Sequence, residues 1–131
     1  MNHLEMNGHS CVIRTATGEM LTSDEHGILP PLRWLRENPA MLIDADIFDK
    51  VIGKAAALLF AYGGVRSIWA ETMSEAAIEF LRSTDIAFEF SERVEFIKNR
   101  DGTDICPMEC RALGIGDPAE AFRLFDGVIP K

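Results

Sequence analysis

The sequence predicts an α/β fold, a central sheet with helices on its faces, from three observations. Short β-type segments alternate with helical ones along the chain, and glycines and prolines stand at the joints between them. A composition of 47% hydrophobic and 26% charged residues over 131 positions is enough to bury one core. Residues 1–131 are therefore read as a single domain, with 1–9 as a flexible arm or short helix because they show no period.

Cys11 to Thr15 reads as a strand, Ala16-Thr-Gly18 as its turn, and Glu19 to Ser23 as the returning strand of a hairpin. Pro30-Pro31 fits the first turn of a helix that Leu32 to Arg36 continue and Asn38-Pro39 stops. From Ala45 to Tyr62 the spacing predicts one long helix. Its polar residues Asp46, Asp49, Lys50 and Lys54 fall three and four apart, its second half is wholly apolar, and Gly63-Gly64 ends it. Val65 to Ala70 reads as a buried strand running into a helix over 76–81, with Thr72 or Ser74 as the cap. Ile86 to Phe90 and Arg93 to Ile97 read as two further strand-like stretches, and Asn99-Arg-Asp-Gly102 as a turn. Pro107 to Leu113 and Pro118 to about Phe125 are short helices, the second opened by Asp117 with Glu120 at its third position.

Charge and cysteine content narrow the function classes. Twenty-one acids against thirteen Lys and Arg leave a net charge of −8, which argues against a nucleic-acid binder. The uncharged run Ala55 to Val65 is too short to span a bilayer about 30 Å thick. Three cysteines and no leader pattern suggest neither a disulfide framework nor secretion, and a cytoplasmic setting fits best. Between Glu71 and Glu95 seven acids face only Arg82 and Arg93, the pattern of a solvated acidic face.

Several residues carry possible chemistry beside a plainer reading. Lys50 and Lys54, one turn apart on a helix, could bind a phosphate or carboxylate; equally, Asp46 and Lys50 could form an ion pair on a solvated stripe. Lys54 lies where the apolar run begins and so calls for an anion beside it. Cys106, at the start of the Pro107 helix, is a candidate nucleophile or redox sensor, or a small packing residue. Glu109 can move protons or simply complement the same helix end. Gly53-Lys54 is no phosphate loop, because Phe48 stands where its first glycine should be and Ala55 replaces its hydroxyl. Gly114-Ile-Gly116 follows no strand and is no dinucleotide fingerprint. Cys106 and Cys110 lack two further zinc ligands, His3-Leu-Glu5 matches a deaminase half-motif by chance, and His9 and His26 read as ordinary loop residues.

Asp49-Lys-Val-Ile-Gly-Lys-Ala-Ala-Ala57, and Asn99-Arg-Asp-Gly-Thr103 followed by Cys106-Pro-Met-Glu109, sit in an element order that resembles an uncharacterised family of bacterial and archaeal proteins with a cytidine deaminase-like fold. The resemblance runs from Ser10 to Phe125 and implies a three-layer α/β/α arrangement around a mixed sheet of about four to five strands. In zinc deaminases of this fold, a His- or Cys-Ala-Glu motif and a Pro-Cys-x-x-Cys motif open two helices. Here Gly53-Lys54-Ala55 and Glu71 to Glu75 stand in those places, so no metal ligand and no catalytic Glu is carried over. The resemblance places a pocket at the two helix starts, with Asp49, Lys50, Lys54, Ser74 and Glu75 facing it. The loop bearing Asn99, Arg100, Thr103, Cys106 and Glu109 forms its third wall.

The resulting expectation is a domain of unknown function without zinc or other cofactor that binds a small anionic or nucleotide-like ligand. Lys50, Lys54, Ser74, Glu75, Asn99, Arg100 and Thr103 would hold the ligand. Two other readings stay open. In one the chain is an enzyme in which Cys106 attacks, Lys54 stabilises charge and Glu109 or Asp49 moves protons. In the other it is a non-catalytic interaction module that pairs as a homodimer, as proteins of the resembled fold often do.

Overall fold

The computed structural model describes residues 8–98 and 107–130. The hairpin forms where its turn chemistry places it: β1 (Cys11–Arg14) runs antiparallel to β2 (Met20–Ser23). Gly18 takes the left-handed φ of 94° that the turn needs. Helix α1 (Leu29–Glu37) starts on its two prolines, and a 3-10 turn, Pro39–Leu42, follows.

The segment 45–62 departs from the expectation of one long helix. It is a strand, β3 (Asp46–Ile52), followed by a helix, α2 (Lys54–Gly63), with the extended Gly53 between them. Ile47, Phe48, Val51 and Ile52 are β-branched or aromatic and suit a strand. β3 lies between β1 and β4 with most of its side chains buried, so it lacks the in-out alternation that marks a half-exposed strand. The three-and-four spacing of its charges is coincidental. Asp46 and Asp49, an odd number apart, point to opposite faces. The Asp46–Lys50 ion pair expected for a helix does not form, since Asp46 is taken by Arg14, Arg66 and Ser67.

Those bonds pin three strands together. Arg66 reaches Asp46 with two nitrogens at 3.1 and 2.6 Å, and Arg14 with two at 3.2 and 3.0 Å. Arg14 and Ser67 are the register partners of Asp46 on β1 and β4, so a one-residue slip on either side would break the cluster. Burial raises the Asp46 pKa, but the hydrogen bonds from Arg66, Ser67 and Arg14 outweigh it and hold the carboxyl at about 2.

β4 (Ser67–Ser74) runs parallel to β3 and passes without a loop into α3 (Glu75–Arg82). Of the two candidate caps, Ser74 does the capping, accepting from the Ala77 amide at 3.2 Å, while Thr72 is within the strand. β5 (Ala87–Val94) is one continuous parallel strand where the sequence suggested two stretches. The five-stranded mixed sheet has the order β2-β1-β3-β4-β5, with β1 antiparallel to both neighbours. The two parallel crossovers advance in one direction, which for the usual hand of such connections puts α2 and α3 on the same side of the sheet, and the two helices pack on each other.

α2 is the centre of the core. Ala55 to Phe60 are all buried, and the helix touches α1, α3, α4 (Pro107–Ala112) and α5 (Pro118–Val128). Gly64, at φ 82°, turns the chain out of it. Asp117 caps α5 through the Ala119 amide, and the helix continues past Phe125 to Val128. The opposite sheet face carries a smaller cluster, Val12, Phe48 and Trp69, with the Arg14 guanidinium 5.6 Å from the Phe48 ring centroid. No helix of the described residues is long and apolar enough to cross a membrane.

Candidate functional site

Gly53 has no side chain to cap α2, yet the first amides of that helix are buried and need acceptors. Glu109, arriving on α4, supplies them. One carboxylate oxygen accepts from the Lys54 amide at 3.0 Å and from Ser74 Oγ at 3.0 Å, and the other accepts from the Ala55 amide at 3.4 Å. Only 3% of Glu109 is exposed, and these donors offset the cost of burying its charge. The Lys54 ammonium extends away to the Leu113 carbonyl, 3.0 Å distant, just past the end of α4. Glu109 stands in the first turn of α4, where it complements that helix end, and its carboxylate also seals the start of α2.

Three sequence-derived candidates, Lys54, Ser74 and Glu109, thus meet at the paired starts of α2 and α3. The others do not join them. Lys50 is an exposed strand residue, so no pair of lysines one helical turn apart exists. Glu75 is exposed beside Arg93, at 3.8 Å. Asp49 is buried in the sheet opposite Cys11. There burial pushes its carboxyl up to about 7, against the smaller lowering effects of hydrogen bonds from Val51, the Cys11 thiol and Lys50. The same burial, with Asp49 nearby, pushes the Cys11 thiol up. Asn99, Arg100, Thr103 and Cys106 lie outside the described residues, as do His3 and Glu5. Among the described residues no three His, Cys, Asp or Glu side chains converge as a metal site.

Beside the Glu109 seal opens a cleft of about 500 Å³. Val51, Ala56, Ile97 and Met108 give it apolar walls, Gly53 and Glu109 lie at the α2 start, and the exposed His26 and Lys98 stand at its mouth. A Cβ on Gly53 would sit 2.3 Å from a Glu109 oxygen and 3.0 Å from Ile97, so glycine is what allows the strand, the helix and α4 to meet there. The cleft lies at the carboxyl end of β3, the end at which open α/β sheets present their ligand sites. His26 and Lys98 carry no sequence signal for a site. One is in the loop before α1 and the other beyond β5, and only the fold brings them together.

A model of the domain of unknown function DUF1893, TM1506, matches residues 1–129. The chain belongs to the DUF1893 family. A crystal structure of a DUF1893 family protein (TM1506) from Thermotoga maritima has the same fold, with a TM-score of 0.83 at 22% identity. The match covers 97% of this chain and 93% of that one. A search of curated proteins finds no match. DUF1893 membership therefore brings the architecture of this domain and no activity with it.

Proposed function

We propose that this DUF1893 domain binds a small molecule in the cleft at the carboxyl end of β3. The observation that carries the reading is the cleft itself, about 500 Å³ with apolar walls and a few polar groups. Its volume lies in the roughly 300–1,000 Å³ range of small-molecule sites. Glu109 changes the kind of ligand expected. The amides at the start of α2 that would hold an anion already donate to its carboxylate. A ligand therefore lies beside that helix end, its body against Val51, Ala56, Ile97 and Met108, and a nucleotide-like molecule would enter by its base.

N-phenyl-1-naphthylamine, a neutral fluorophore, serves as the test probe, titrated into the full chain and into Val51→Trp. Val51 is 40% exposed at the cleft wall, and tryptophan suits a strand while filling the opening. Saturable binding that weakens about tenfold or more in the variant is expected. Equal binding by both proteins would remove the cleft as the site, and no saturable binding by the wild type would count against small-molecule binding altogether.

A further inference from the structure

The polar groups of the cleft fall into two sets. Glu109 is satisfied, with both oxygens engaged by α2 amides and by Ser74, so it has little left to offer a cationic ligand. His26 and Lys98 are exposed and line the same cleft. Among the described residues neither side chain has a hydrogen-bond or ion-pair partner.

We infer that the ligand is an amphipathic anion, with an apolar body against the walls and one anionic group held at the mouth by Lys98 and His26. The inference rests on the cleft being the ligand site and goes further by fixing the polarity of what enters. A cation would meet Lys98 at the mouth and a carboxylate already occupied behind it. A neutral apolar molecule would leave the ammonium and imidazole with water alone. An anion with an apolar body matches both parts of the surface.

Two probes that share one aromatic framework separate the terms: N-phenyl-1-naphthylamine, which is neutral, and 8-anilinonaphthalene-1-sulfonate, which adds a single sulfonate. Both are titrated into the full wild-type chain, into Val51→Trp, and into a variant carrying His26→Gln with Lys98→Gln. These last two positions are exposed, so the variant folds as the wild type does. The sulfonate probe should bind the wild type about fivefold tighter than the neutral one, the size expected for a partly screened ion pair. That preference should shrink at 1 M salt and vanish in the double variant, while the neutral probe's affinity stays unchanged. Val51→Trp should weaken both. Equal affinities in the wild type, or a preference that survives in the double variant, would overturn the anion assignment while leaving the cleft as a binding site. Binding of neither probe would overturn both readings.

Discussion

Asp46 and Asp49 stand three residues apart on one strand and point to opposite faces of the sheet, where their carboxyl groups are displaced in opposite directions. Asp46 is gripped by two guanidinium groups and a hydroxyl and is held at about 2. Asp49 is buried with one oxygen unpartnered among the described residues and is pushed up to about 7. Both expose little surface, 3% and 5%, but Asp49 lies deeper in the core and its burial outweighs its few donors, whereas the donors to Asp46 outweigh its burial.

For Asp46 the folded value lies below the unfolded value of about 3.9, so its carboxylate adds stability above pH ~4 that is lost as pH falls toward ~2. Asp46→Asn should cost about 2 kcal/mol at pH 7, a figure reduced because Arg66 and Arg14 are 65% and 40% exposed. Urea midpoints measured at pH 7 and near pH 2 should show the two proteins far apart at the first and converging at the second. A gap that stays constant with pH would show that the ionised carboxylate is not what holds the three strands.

For Asp49 the sign reverses. Its folded value lies above the unfolded one, so the folded state favours the protonated form, and stability falls as pH rises from about 4 to about 7. Asp49→Asn removes that slope. The variant should match or exceed the wild type at pH 8, with the smallest advantage near pH 4. Urea unfolding at pH 5 and pH 8 checks it, and a variant less stable at pH 8 would mean that the charged carboxylate is welcome in the core.

Gly53→Ala should destabilise the domain by about 1–3 kcal/mol, the range for overpacking, because the added methyl meets a Glu109 carboxylate that three donors hold in place. Shortening the intruded side chain should relieve the clash. Glu109→Asp combined with Gly53→Ala is thus expected to cost less than the two single changes added together, as read from a double-mutant cycle in urea. Strict additivity would show that the two residues do not press on each other.

Local signals in the sequence located much of this fold. The Ala16-Thr-Gly18 turn, the Pro30-Pro31 helix start, the Ser74 cap and the Asp117-Pro118 start each involve residues that act on their immediate neighbours, and each stands where expected. β3 was not legible, because a central strand carries no in-out alternation and its charges happened to fall at helical intervals. The site was half legible. Lys54, Ser74 and Glu109 were grouped through the family resemblance, but what Glu109 does there depends on an acceptor meeting donors 55 and 54 residues earlier in the chain. His26 and Lys98 are brought together by tertiary structure alone.

The same separation bears on how the chain acquires its structure. The Glu109 seal closes a loop of 55 residues back to Lys54 and of 54 back to Ala55. Closing so long a loop is slow relative to forming the hairpin or the helix itself. The cleft beside Gly53 is therefore complete only when α4, which brings Met108 and Glu109 to its wall, has docked on the start of α2.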